Sequence, residues 1–471
     1  MDKRNQITIA LIGPVSSGKT TLLNTLFVEQ YANMKIKRTT MMPQIYHETD
    51  NINQYLNKDE IKSKNEQNDK YFIEQTENGN ILTFEELKEL EYYVPQVFDL
   101  VKLNKDVYLT IYDIPGLNDS RTKDIYYKYI SDNFYKFDII IFMIDINSAL
   151  NTSDEIEILK LILNNTKIVN EKYNKFIELV TILNKCDNMY INGQNNLQLE
   201  DEFQEMYLQA AKTIQSSINE IYPKLCHYIL PISCEDAYIY RIFNRNPDIN
   251  LEPKYLNKFG MNEFGKSKWN QMKKVDKKKS IKKIMDSCEY SDRMKLSGFS
   301  TFKNKLQTIL NPSNQLKFLL NDVKYKLILI MEKKYENFEI FAILTEIKEQ
   351  FYRMKELINL FNIESEIKKE ILVIYSKYIL AFIEKIDIIL KVHNCQIQNT
   401  AEVSMYENIK KAFEYAQDNL PELESNNSIY NNYIIKLTNS LNNYIELDIL
   451  KPNNNLSDIG KYVSILFRNS Y

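Results

Sequence analysis

The octapeptide Gly13-Pro-Val-Ser-Ser-Gly18-Lys19-Thr20 constrains the fold of this chain more tightly than any other segment. It fits the spacing G-x-x-x-x-G-K-[ST], with the apolar run Ile7–Ile12 before it and Thr21-Leu-Leu-Asn-Thr-Leu-Phe27 after it. The first run reads as a strand and the second as the start of a helix, so the octapeptide becomes the loop between them. In that setting Gly13 and Gly18 let successive backbone N–H groups curl round a phosphate at the positive end of a helix. Ser16, Ser17 and Thr21 belong to the same cradle. Lys19 is expected to reach the β- and γ-phosphates, and the Thr20 hydroxyl to bind Mg2+. A Gly/Ser turn before an ordinary helix is the bland alternative, and the strand–loop–helix context counts against it. A nucleoside triphosphate site is the expectation.

Length and composition bound the class. A chain of 471 residues has room for two or three domains. Its net charge of −3 shows no global basic bias, so no specific nucleic-acid partner is expected. Cys186, Cys226, Cys234, Cys288 and Cys395 contain no C-x-x-C pair, and the three histidines lie far from ligand spacing. A disulfide framework or zinc site is not expected, and a reducing, cytoplasmic setting fits, with a peripheral membrane position as the alternative. No signal-like apolar stretch and no run of 18 apolar residues occur. With nine glycines in all, their occurrence at 13, 18 and 116 reads as placement.

The residues after the loop select the base. Phe98–Leu103 and Val107–Tyr112 flank a polar turn and read as a hairpin. The second run ends in Asp113-Ile-Pro-Gly116, the D-x-x-G pattern of switch GTPases. Asp113 is expected to hold Mg2+ through water, and the Gly116 N–H to sense the γ-phosphate. A third strand, Ile139–Ile144, precedes a helix from Asp154 to about Tyr173, with Ser153 or Asp154 as N-cap. Next, Glu178–Leu183 leads into Asn184-Lys185-Cys186-Asp187. At the end of a buried strand, Asp187 can accept from guanine N1–H and the exocyclic amine together, whereas adenine would leave the carboxylate unpaired. Lys185 would lie over the base and Asn184 would brace the loop. A last strand, Tyr228–Ile232, ends in Ser233-Cys234-Glu235, whose backbone N–H groups are expected at the guanine oxygen. The order of units implies a mostly parallel, doubly wound sheet with the ligand at the strands' carboxyl ends. An ATPase is the rival reading, and Asn184–Asp187 counts against it.

The first switch must supply a threonine, and Arg38-Thr39-Thr40-Met-Met-Pro43 lies at a suitable distance. Here a family resemblance emerges. Ser16-Ser17-Gly18-Lys19-Thr20-Thr21-Leu-Leu-Asn24 resembles the phosphate loop of the dynamin superfamily of large GTPases. Thr40-x-x-Pro43 looks like that family's Thr-Arg-Arg-Pro switch, and Asn147-Ser148-Ala-Leu150-Asn-Thr-Ser153-Asp154 is similar to its Asn-Ser-Asp-Leu-Ala-Asn-Ser-Asp stretch. The resemblance covers about residues 6–240 and a closing helix near 296–310. It implies an α/β P-loop GTPase domain followed by an all-α helical domain, with GTP, GDP and Mg2+ as ligands. By the same resemblance, Ser16, Lys19, Thr40 and Gly116 are the catalytic set, with Thr40 on Mg2+ and the attacking water. Ser16 would offset charge near the β–γ bridge. Leu117 stands where Ras-like proteins place a catalytic Gln; dynamins share that absence and gain activity when two GTPase domains dimerise. Self-association is therefore the implied partner. Dynamins usually carry Gln where this chain has Val15. Arg38 and Arg121 flank the switches, as ordinary exposed arginines or, alternatively, as arginine fingers.

The remaining regions are read from composition. Residues 47–95 resemble an insertion of mobile or partly helical surface. Residues 237–296 hold eleven lysines between Lys254 and Lys283 and read as a solvated, partly disordered loop, with an anionic membrane surface as the alternative. Trp269 reads as packing. Leu296–Leu310 is the final helix of a domain spanning 1–311, broken by Asn311-Pro312. Residues 312–471 repeat apolar positions at three- and four-residue steps, as in Phe341, Leu344, Ile347 and Phe351, and read as a helical bundle whose stripe is core. The dynamin resemblance implies instead a stalk-like domain that self-associates, and a switch or scaffold reading makes it the site of a protein partner.

Overall fold

Alternation along the first strand, β1 (Asn5–Ile12), sets up two opposite cores. Ile7, Ile9 and Leu11 point into one and Ala10 and Ile12 into the other, the period-two consequence of strand geometry. The computed structural model describes residues 5–331 apart from 33–39, 78–86, 98–99, 101–102, 104–106, 119–121, 188, 194–195 and 287–288.

After β1 come α1 (Lys19–Phe27), β2 (Gln44–Glu48), α2 (Lys58–Glu77), β3 (Leu90–Val94), β4 (Val107–Asp113), α3 (Lys123–Asn133), β5 (Ile139–Asp145) and α4 (Ser153–Tyr173). Then follow β6 (Glu178–Asn184), a small hairpin of β7 (Met189–Ile191) and β8 (Leu197–Leu199), α5 (Asp201–Ile221) and β9 (His227–Ile232). The helices α6 (Cys234–Arg245), α7 (Pro253–Phe264), α8 (Lys266–Gln271), α9 (Lys274–Met285), α10 (Glu289–Leu296), α11 (Phe299–Ile309) and α12 (Pro312–Met331) complete the described part. Seven strands form one sheet in the order β3-β2-β4-β1-β5-β6-β9. All neighbours are parallel except β2 and β4. The inner strand β5, Ile-Ile-Ile-Phe-Met-Ile-Asp, is buried along its apolar run because helices cover both faces. Helices α3, α4 and α5 pack on one face; α1 and α6–α12 pack on the other. The strand order reverses direction of growth at β1, which puts a crevice at its carboxyl end.

Several sequence expectations are corrected here. The expected hairpin partner, 98–103, and its turn lie mostly outside the described residues; Leu100 and Leu103 are in no strand, and β2 borders β4 antiparallel, with Gln44 opposite Asp113. The segment 47–95 is partly helical but not merely surface, because β3 extends the sheet beyond β2 and α2 buries Ile61 and Asn65. Its anchor is polar. Asn65 on α2 is buried, donates to the Tyr31 carbonyl and to Tyr46 Oη, and accepts from Tyr92 Oη at 2.6 Å. The α4 cap is Thr152, whose Oγ1 accepts from the Glu155 N–H while Glu155 Oε2 accepts the Thr152 hydroxyl. The lysine-rich stretch is not a loop. It forms successive helices that bury Tyr255, Phe259, Trp269, Ile281, Ile284 and Met285 and turn most lysines outward.

Pro312 opens α12, where its fixed φ and missing N–H suit the first helical turn. The helix packs back on the sheet domain through Leu316, Phe318, Leu320 and Val323. Asn321 bonds the Phe176 N–H, the Phe176 carbonyl and Asp138 Oδ1, and Asp138 in turn accepts from the Thr8 N–H and pairs with Lys175 at 3.1 Å. These contacts lie at the starts of β5 and β6, the sheet end opposite the crevice. Among the described residues no helix is long and apolar enough to cross a membrane. The helical periodicity around Phe341–Phe351 and everything after 331 lie outside the described residues.

Candidate nucleotide site

The loop at the end of β1 has the backbone that its sequence requires. Gly18 sits at φ +100°, and a Cβ there would fall 2.0 Å from Asn184 Nδ2. Ser16 also adopts a positive φ, 63°. Gly18 caps α1 without a side chain and no acidic residue occupies the first turn, so the positive helix end faces the loop's concavity. Lys19 curls back, its Nζ donating to the Gly13 carbonyl at 3.1 Å and to that of Pro14 at 2.8 Å. Ser17 Oγ also donates to the Pro14 carbonyl. Thr21 stands in the first turn of α1, its carbonyl accepting from Thr25. Asn24 is buried and clamps Tyr31 and Ala32, where the chain leaves for the first switch.

Three residues far apart in sequence meet beside Lys19. Thr20 Oγ1 donates to Asp113 Oδ2 at 2.8 Å and lies 3.3 Å from Thr40 Oγ1. Asp113 is wholly buried and its Oδ1 has no partner. Burial pushes its carboxyl up to about 6, against the opposing pull of Lys19 and the Thr20 hydroxyl. Opposite Asp113 in the register, Gln44 is buried too, with Nε2 unpartnered. A carboxylate with a bare buried oxygen and two hydroxyls is a hard-oxygen donor set that Mg2+ completes with water and phosphate. The residues therefore fit that ion. Thr40 is kept in place from behind, since Tyr126 on α3 donates to the Met41 carbonyl at 2.6 Å.

Gly116 packs directly on the phosphate loop; a Cβ there would lie 2.4 Å from Val15 Cγ2 and 2.7 Å from Val15 N. Two residues on, Asn118 Oδ1 accepts from the Val15 N–H at 2.7 Å. Leu117 is fully buried. Arg38 and Arg121 lie outside the described residues.

At the base end, Asn184 ties two loops together: Nδ2 donates to the Ser17 carbonyl at 2.8 Å, and Oδ1 accepts from the Cys234 N–H at 3.0 Å. Lys185 has a positive φ, 67°, and its ammonium pairs with Asp145 Oδ2 at 2.5 Å. Asp145 also accepts from the backbone and side chain of Asn147, so one carboxylate at the end of β5 orients both. Burial pushes the Cys186 thiol up to about 12, and its side chain packs inward. Asp187 is exposed, with Oδ1 accepting from Ser233 Oγ at 2.6 Å and Oδ2 3.2 Å from Lys258 Nζ.

One expectation fails here. The Ser233 N–H donates to the Ser297 carbonyl and the Cys234 N–H to Asn184, so neither amide is offered to a base. The Ser233 hydroxyl instead faces Asp187 Oδ1 and Asp236 Oδ2. The structure also adds residues that sequence reading passed over: Asn118, Tyr126, Asp145 and Lys258. An Asp at a strand end with Asn-Ser two residues on is a local signal for Asp145; Lys258 has none within a lysine-rich stretch.

Residues 9–186 match the model of the dynamin family. Among curated proteins, the uncharacterized protein R618 of Acanthamoeba polyphaga mimivirus is 23% identical over 201 residues, 41% of this chain and 31% of that protein. The chain thus matches about a third of its relative's length. Among solved structures, an oligomerised bacterial dynamin pair aligns over 98% of this chain and 69% of that one, at 14% identity and a TM-score of 0.33. Toc33 from Arabidopsis thaliana covers 49% of this chain and 71% of its own, at 10% identity and a TM-score of 0.30. Aquifex aeolicus Era bound to GDP and AlF4− covers 49% and 51%, at 17% identity and a TM-score of 0.25.

Proposed function

We propose that this chain, whose residues 9–186 belong to the dynamin family, binds GTP with Mg2+ and hydrolyses it to GDP and phosphate. On this reading a domain of residues 1–311 carries the site and residues 312–471 form a helical region. The observation that carries most weight is the meeting of Thr20, Thr40 and Asp113, with Asp113 Oδ1 left bare. Guanine rather than adenine is supported by Asp187, the exposed carboxylate of a loop that Asn184 ties to the phosphate cradle.

Bound Mg2+ would neutralise charge on the β- and γ-phosphate oxygens. Lys19 would exchange its two loop carbonyls for those phosphates. Thr40 would hold the attacking water, and Gly116, pressed against Val15, would signal the presence of the γ-phosphate. Leu117 is apolar and buried, so that position cannot help Thr40 orient the water. Pairing of two GTPase domains, as the dynamin resemblance implies, would raise the rate.

A second reading is a slow GTP-dependent switch or scaffold whose helical region binds a protein partner. Val15 favours it, since its N–H is occupied by Asn118 and its side chain faces Gly116. GTP turnover per molecule, measured across a protein concentration series, separates the two. Rising specific activity supports pairing; flat, slow turnover leaves the switch. Lys19→Ala should abolish GTP binding, and Asp187→Asn should shift preference toward xanthosine triphosphate. Unchanged GTP affinity in either variant refutes the site.

A further inference from the structure

The lysine-rich helices send one side chain into the base-reading corner. Lys258, on α7, has its ammonium 3.2 Å from Asp187 Oδ2, 2.8 Å from Glu235 Oε2 and 3.3 Å from Asp236 Oδ1. Its side chain is 21% exposed, unlike Lys254 and Lys278, which are about half exposed and pair with Glu252 and Asp248. α7 is held rigidly by Tyr255 against Tyr238, Phe259 against Phe243 and Trp269, and Asn262 donating to Asp236 Oδ1. Burial draws the Lys258 pKa down, but Asp236, Asp187 and Glu235 together raise it well above the ordinary lysine value. It is therefore a fixed cation among three carboxylates.

Its effect on Asp187 follows from lone-pair arithmetic. An ionised carboxylate offers about four acceptor positions, two on each oxygen. Ser233 Oγ, closer to Asp187 Oδ1 at 2.6 Å than to Asp236 Oδ2 at 2.9 Å, takes one on Oδ1 and Lys258 one on Oδ2. One position then remains on each oxygen of this half-exposed side chain, the number that a pair of parallel donors requires. Guanine presents such a pair in N1–H and its exocyclic amine. Without Lys258 the carboxylate would keep only the Ser233 hydroxyl as a tether and would face Glu235 and Asp236 uncompensated.

We infer that Lys258 is a positioning residue for guanine recognition, locking the Asp187 carboxylate in the two-acceptor orientation that distinguishes guanine from bases lacking the paired donors. This rests on the GTP reading above, and it assigns a role to a segment that composition marks only as charged surface.

The test uses the full chain and displacement of a fluorescent GDP by GDP, IDP and ADP. Hypoxanthine keeps N1–H and lacks the exocyclic amine, so the GDP-to-IDP affinity ratio reads the second donor. Lys258→Met should weaken GDP at least tenfold and bring the GDP-to-IDP ratio close to one, while Lys258→Arg keeps most of the ratio. Nucleotide-free thermal unfolding checks that the variants fold; if Lys258→Met does not, Lys258→Gln carries the same ratio. Equal losses for GDP and IDP, or an unchanged ratio, would overturn the inference. A wild-type protein that does not prefer GDP to ADP would instead sink the GTP reading.

Discussion

Asp113 concentrates the conflict between folding and function in one side chain. Its carboxylate is buried, receives a single hydroxyl, and faces its remaining oxygen into no donor. A charged group so placed costs stability until a cation arrives. Asp113→Asn should therefore stabilise the nucleotide-free protein by about 1–2 kcal/mol at neutral pH, and at the same time remove the Mg2+-dependent tightening of GTP binding. Urea unfolding and nucleotide titration with and without Mg2+ check both halves. Loss of stability in this variant would mean that the carboxylate is structural. Asp113, Thr20 and Lys19 were legible in sequence because each sits at a fixed place in a short motif. Lys258 and Asn118 were not, because their partners lie 71 and 103 residues away.

At the scale of elements, the β2–α2–β3 unit shows why composition misleads. Its helix is strongly polar, with Ile61 and Asn65 turned inward, yet the tyrosines 31, 46 and 92 close around Asn65 with ring centroids 5.4–5.7 Å apart. Burial here depends on polar tips finding partners, which a hydrophobicity pattern does not register. The same unit contains Glu48, whose two oxygens accept from the Val97 and Leu109 N–H groups. Burial nonetheless pushes its carboxyl up to about 7 from 4.5. The folded state thus holds this proton more tightly than the unfolded chain. Its contribution to stability is complete below about pH 4.5 and lost as pH rises through about 7. Between pH 5 and 7 the wild type should lose stability with a slope steeper by up to about 1.4 kcal/mol per pH unit than Glu48→Gln. Parallel slopes in urea titrations of the two proteins would show that Glu48 stays ionised.

Across the whole molecule, the nucleotide crevice and the root of the helical region occupy opposite ends of one sheet. α12 is fastened at the far end by Asn321, which serves Asp138 and both backbone groups of Phe176, and by Tyr325 stacked on Tyr135 at 4.0 Å. Asn321→Leu takes the side-chain partner from the Phe176 N–H and carbonyl and one donor from Asp138, and should cost about 2–4 kcal/mol. Because the Asn321 contacts lie at the sheet end opposite the crevice, GTP affinity in the folded variant should stay within about twofold. A large affinity loss measured alongside normal unfolding behaviour would instead reveal coupling along the sheet.

The chain's sequence by itself determined the motif order, the parallel inner strands and the guanine-nucleotide reading. Each of these rests on a dozen or fewer consecutive residues whose backbone and donor geometry is local. Tertiary structure alone decided that β2 borders β4, that a polar segment widens the sheet, and that the Ser233 and Cys234 amides are spent inside the protein. It also decided which of eleven similar lysines reaches Asp187. Those outcomes depend on contacts between distant residues, where burial and hydrogen-bond satisfaction outweigh local propensity, and no short stretch of sequence carries that information.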